Sequence, residues 1–159
     1  MRTIYIIVVL ILFSACKKEE EKSYYNLDTN VTFYVANAAG DDLLDPNNPD
    51  SYKANEIHVY NIINNEEVEV FTFNEMTSSF VLKKNEITGR YFFSTGFYYK
   101  SKDIFLIKWN DNITDTIRGQ YREGDHFITY DKVWYNGELI YDNTIPGSHP
   151  ANRDFTIIR

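Results

Sequence analysis

An all-β fold is what this sequence predicts: an antiparallel β-sandwich (Ig-like or similar), with a closed β-barrel as the alternative. Three observations predict it. Short runs rich in Val, Ile, Thr, Tyr and Phe recur along the chain, with turn residues between them at intervals of about 8–12 residues. No segment sustains a helical period of apolar residues. An aromatic fraction of 16% within 43% hydrophobic residues supplies bulky, β-favouring side chains for one core in a chain of 159 residues.

The elements follow in order. Residues 31–35 (VTFYV) are the first strand, and residues 56–63 and 67–73 come next, with Asn64, Asn65 and Glu66 as a hairpin turn. In 67–73 the residues Val68, Val70 and Thr72 alternate with Glu67, Glu69, Phe71 and Phe73, a period near two that suits a sheet with one wetter face. Glu67 and Glu69 share a face there and read as charges guarding a sheet edge. Further strands are expected over 79–83, 90–94, 104–109, 114–121, 127–135, 138–141 and 155–158. Residues 104–109 are apolar at nearly every position, which predicts a strand buried on both faces, and Asp111-Asn112 turns it into the next.

Asn136-Gly137 lies between two apolar runs and supplies the positive φ angles of a type I′ turn. Pairing outward from it sets Tyr135 opposite Glu138, Trp134 opposite Leu139, Val133 opposite Ile140 and Lys132 opposite Tyr141. On this register Ile128, Tyr130, Trp134, Leu139 and Tyr141 form the core face.

The N-terminus carries a different signal. Arg2 precedes ten apolar residues at 4–13, followed by Ser14, Ala15 and Cys16. A bilayer core needs about 20 apolar residues, so the stretch reads as the h-region of a signal peptide over 1–15. Cys16 is the one cysteine of the chain, which excludes a disulfide framework. The run Lys17-Lys18-Glu19-Glu20-Glu21-Lys22-Ser23 has nothing to bury, so residues 16–30 are expected as a charged flexible tether and residues 31–159 as a single sandwich domain.

Catalysis is not expected. His58, His126 and His149 have no second histidine at metal-ligand spacing, and there is no nucleophile elbow, phosphate-cradling loop or dinucleotide fingerprint. Asp125 and His126 are adjacent, and neighbours on a strand point to opposite faces. With 16 Lys+Arg against 23 Asp+Glu the net charge is −7, which speaks against a nucleic-acid partner. No cofactor is expected, with one weak exception. The long connection over 37–55 holds Asp41, Asp42, Asp45 and Asp50, hard-oxygen donors suited to calcium, with Gly40 to let the chain turn. The competing reading is a solvated crossover whose Leu43 and Leu44 tuck over the end of the sandwich. Phe97, Tyr98 and Tyr99 offer an aromatic patch for a glycan or a protein partner, against the alternative that they simply fill core and rim.

Phe13-Ser14-Ala15-Cys16 resembles the lipobox of bacterial lipoproteins, with Phe in place of the preferred Leu. That resemblance implies lipidation of Cys16 by acyl chains such as palmitate, and two or more chains anchor a protein stably. The acid-rich segment after the cysteine is similar to the export signal of Bacteroidetes surface lipoproteins, implying the outer membrane and its outer face, with the periplasmic face as the alternative. Asp115-Thr116-Ile117 resembles the acceptor for O-glycosylation in that group, on Thr116. Together with residues 41–46 and 134–137 it resembles small β-rich Bacteroidetes lipoproteins, a likeness that implies no activity. The expectation is a membrane-anchored, non-catalytic binding or interaction module of the cell envelope. An accessory subunit of an outer-membrane assembly is the second reading and a hydrolase the last.

Overall fold

Two β-sheets pack face to face in the computed structural model, which describes residues 26–70, 80–96, 104–145 and 153–159. The larger sheet contains β1 (Asn26–Asp28), β3 (His58–Ile63), β4 (Glu66–Glu69), β7 (Ile104–Asn110), β8 (Ile113–Gly124), β9 (Phe127–Tyr135) and β10 (Glu138–Asp142). Its order is β1-β9-β8-β7-β3-β4, and β10 also pairs with β9. The smaller sheet contains β2 (Asn30–Ala36), β5 (Val81–Lys84), β6 (Tyr91–Gly96) and β11 (Asp154–Ile158), in the order β11-β2-β6-β5. This is the sandwich that the strand spacing predicts; neither sheet closes into a barrel. The described residues contain no helix.

Most pairings are antiparallel hairpin contacts, and two are parallel: β1 with β9, and β11 with β2. The described part of the chain starts in one sheet and crosses to the other at Thr29, which is almost wholly buried. The domain begins earlier than the sequence suggested. Residues 26–30, expected in the tether, already belong to β1, the crossing and the start of β2. The crossing is held by Arg153, a buried side chain that donates to the Asp28 backbone carbonyl at 2.9 Å and pairs with the Asp28 carboxylate. The Arg153 guanidinium also lies 5.9 Å from the ring centres of Tyr130 and Tyr141.

The core between the sheets is built from alternate residues of facing strands: Val31, Phe33 and Val35 of β2 and Phe93 of β6 meet Phe105, Ile107 and Trp109 of β7, Ile117 of β8, and Tyr130 and Val133 of β9. Phe93 sits between Phe80 and Trp109, with ring centroids 4.8 and 5.0 Å away.

Turn chemistry behaves as read. Asn136 and Gly137 have φ of 48° and 87°, and Asn64 and Asn65 have 53° and 67°. Both connections are two-residue turns of the I′ kind, so Glu66 belongs to β4 rather than to the turn. Asn110 Oδ1 accepts from the backbone N–H groups of Asn112 and Ile113, fixing the Asp111-Asn112 turn between β7 and β8. Asp125 and His126 form the β8–β9 turn instead of lying on a strand.

Two further expectations are corrected. Strand β7 is not buried on both sides: Phe105, Ile107 and Trp109 face the core, while Ile104, Leu106 and Lys108 are only half-covered. The face assigned to β9 and β10 is also wrong in part. Asp131 is an extra residue on β9 and Ile140 an extra residue on β10, so the register jumps at both places. Each bulge inverts the alternation beyond it. Tyr130, Val133 and Tyr141 therefore share the core, Tyr141 lies opposite Val133, and Trp134 and Leu139 turn to the outer face, where Leu139 is 45% exposed.

Candidate functional site

The alternation of β8 places residues 115, 117 and 119 inward, and the first of these is an aspartate. A carboxylate there costs stability unless every lone pair is used. Asp115 is 1% exposed and is fully engaged. Its Oδ2 accepts from Trp109 Nε1 at 2.6 Å, from the Tyr135 hydroxyl at 2.6 Å and from the Arg159 guanidinium, while Oδ1 accepts from Asn136 Nδ2 at 2.8 Å. Arg159 is held in turn by its backbone N–H, which donates to the Ala36 carbonyl at 2.9 Å, and its positive charge lies near enough to the Tyr52 hydroxyl to act on it. Tyr52 packs on Trp109 with centroids 5.3 Å apart. Burial, reinforced by the hydrogen bond to Asp115, pushes the Tyr135 phenol far above its usual value; burial also raises Tyr52. These groups close one end of the sandwich. Their donors and acceptors satisfy one another, and the arrangement works as a bolt between β7, β8, the β9–β10 turn, the 37–55 connection and the last residue.

The outer face of the larger sheet has a different character. Arg118 of β8 lies opposite Trp134 of β9, and its guanidinium stacks 3.9 Å from the indole centroid. Arg118, Gly119, Gln120, Tyr121 and Trp134 line a shallow depression of about 430 Å³. The neighbouring cations are neutralised: Lys108 pairs with Glu67 at 2.5 Å and Lys132 with Asp142 at 3.1 Å. Among the described residues Arg118 has no carboxylate within ion-pair distance. A guanidinium stacked on a ring keeps its in-plane N–H donors available for a carboxylate or phosphate.

The 37–55 connection is ordered by its own side chains. Asn37 Oδ1 accepts from the N–H groups of Ala39 and Asp41, and the Asp41 carboxylate accepts from Asn37 Nδ2 at 2.8 Å. Asp42 accepts from Leu44 N at 2.8 Å and from Tyr91 N at 2.7 Å, tying the connection to β6. Asp45 accepts from the backbone and side chain of Asn47, and Asn48 from Asp50 N. Gly40 takes a φ of 91°, and Leu43 and Leu44 are buried over the end of the sandwich, as the crossover reading expects. Asp41, Asp42 and Asp45 line a depression of about 360 Å³; Asp50 is exposed beside it. No three acidic, histidine or cysteine side chains among the described residues stand close enough to hold a metal ion.

The remaining sequence candidates are dispersed. Phe97, Tyr98 and Tyr99 lie outside the described residues, as does Cys16. Thr116 is half-buried on the outer face of β8, and its backbone N–H donates to Asn136 Oδ1 at 2.7 Å. Glu67 and Glu69 do share a face on β4, the last strand in the sheet order, and Glu69 meets His58 Nδ1 at 2.7 Å. Sequence reasoning missed both the Asp115 cluster and the Arg118–Trp134 pair. The signal for the first was present: an aspartate in phase with Ile117 along a strand. For the second there was none, because the β9 bulge decides which way Trp134 faces.

No family model matches the chain, and neither a curated protein nor a solved structure matches it.

Proposed function

We propose that the chain is a lipoprotein anchored through Cys16 that presents its sandwich as a non-catalytic binding module at the cell envelope, on the outer face of the outer membrane, and that the ligand is an acidic glycan held on the outer face of the larger sheet. The observation that carries the binding part is the stacked Arg118–Trp134 pair, a cation without a carboxylate partner among the described residues of an acidic protein. Its chemistry suits a sugar that bears a carboxylate: bidentate bonds from the guanidinium edge, and an apolar ring face against the indole. The pair stands on central strands of the sheet, so its geometry is set by the scaffold rather than by a loop.

Two experiments test the reading. The full-length protein is titrated with polygalacturonate and with neutral dextran; binding to the acidic polymer alone, weakened about tenfold or more by Arg118→Ala, is the expected result. Equal affinity for both polymers, or no effect of Arg118→Ala, overturns the site. Cys16→Ser should release the protein from the membrane fraction or leave an unprocessed precursor, and unchanged membrane retention overturns the anchor.

A further inference from the structure

The chain contains one Asn-Gly step, Asn136-Gly137. Such a step is chemically labile, because glycine has no side chain to shield its amide nitrogen from the preceding asparagine. The Gly137 nitrogen forms a bond to Asn136 Cγ, its proton passes to the departing amide nitrogen, and ammonia leaves from a five-membered succinimide. Water then opens the ring at either carbonyl to give aspartate or isoaspartate. The net change is one water consumed and one ammonia released, with no oxidant or enzyme required.

Asn136 stands in an exposed turn, yet its side chain is held at both ends. Oδ1 accepts from Thr116 N at 2.7 Å, Nδ2 donates to Asp115 Oδ1 at 2.8 Å, and the Asn136 backbone N–H donates to the Thr116 carbonyl at 2.8 Å. Only this orientation of the amide matches an acceptor to the N–H and a donor to the carboxylate. The side chain is thereby turned across the sheet toward β8, and ring closure onto Gly137 has to break both bonds.

We propose that Asn136-Gly137 is a conformation-gated deamidation site. It is closed while the Asp115 cluster is intact and open once the cluster is broken. It also resists return, because the product places a carboxylate where an amide donor stood, 2.8 Å from Asp115 Oδ1. Any molecule that has stayed unfolded long enough is marked irreversibly at the residue on which the end of the sandwich closes.

The test follows the amide-to-acid mass change at Asn136 by peptide mapping of the full-length protein in mildly alkaline buffer, folded and in concentrated urea. The folded protein should react about 100-fold more slowly, as expected when two hydrogen bonds, one of them to a carboxylate, must open first. Equal rates in the two conditions overturn the gate. Asn136→Asp, which reproduces one product, should melt well below wild type or fail to fold; a melting temperature equal to wild type overturns the resistance to return.

Discussion

Replacing Asp115 by alanine perturbs a buried carboxylate that serves four side-chain donors. The substitution leaves the Arg159 guanidinium, the Trp109 indole N–H, the Tyr135 hydroxyl and the Asn136 amide without their common acceptor. Removing one partner of a buried ion pair costs about 3–5 kcal/mol, and each hydrogen bond to a charged group contributes about 1.5–3 kcal/mol. These contributions overlap, since the Arg159 side chain is 24% exposed and regains water when released. Trp109 is fully buried and does not. The expected loss is therefore about 4 kcal/mol, about a quarter or more of a typical total of about 5–15 kcal/mol. For a domain of this size that corresponds to a fall in Tm of roughly 12–20 °C. Urea unfolding followed by far-ultraviolet circular dichroism reads it as a lower midpoint with an unchanged slope. Arg159→Ala measured alone and in combination should show a coupling above about 1 kcal/mol. A loss below about 1 kcal/mol for Asp115→Ala, or strict additivity with Arg159→Ala, would refute the reasoning.

Three further outcomes follow from the same geometry. The Tyr135 phenol is raised in the folded state above its ordinary value of 10.0, so the stability it contributes is complete below about pH 10 and is lost as the pH rises beyond that. Tyr135→Phe should accordingly flatten the alkaline fall in stability, and an unchanged slope from pH titration of the unfolding midpoint counts against the assignment. At Gly119 an added Cβ would stand 2.2 Å from Tyr130 Cε1, so Gly119→Ala should cost about 1–3 kcal/mol and disturb the near-ultraviolet dichroism of the stacked Tyr121–Tyr130 pair. Asp42→Ala removes the acceptor of two backbone N–H groups, with an expected cost of about 2 kcal/mol and loss of hydrogen-exchange protection at the Tyr91 amide.

Local rules made much of the strand pattern legible, and long-range geometry explains most of what they missed. The Asn136-Gly137 turn and the first two pairs beyond it were readable, because a two-residue turn fixes register on its own. Past Leu139 the reading failed, since Asp131 and Ile140 are inserted where the sequence shows no glycine or proline to announce a bulge. The strand β1 was hidden by its polar composition, Asn26, Leu27 and Asp28, and by a parallel pairing to residues about a hundred positions away. The Asp115 cluster draws on residues 52, 109, 115, 135, 136 and 159, a set that no motif spacing brings together. Of the aspartates of the 37–55 connection, which the sequence offers as calcium donors, Asp41 and Asp45 serve turns and Asp42 ties the connection to β6.

The parallel pairing of β1 with β9 has a mechanical side. Asn26 lies beside Phe127 and Asp28 beside Thr129, while Trp134 sits further along β9 in the direction both strands run. A pull applied between the N-terminal end of β1 and Trp134 therefore acts along the strands in opposite senses. The hydrogen bonds of this pairing are loaded together in shear, not peeled one after another, and the Arg153–Asp28 pair holds the end of β1 in addition. A domain arranged in this way yields late under tension from its N-terminus, whereas the antiparallel β9–β10 hairpin, pulled from its own open end, unzips.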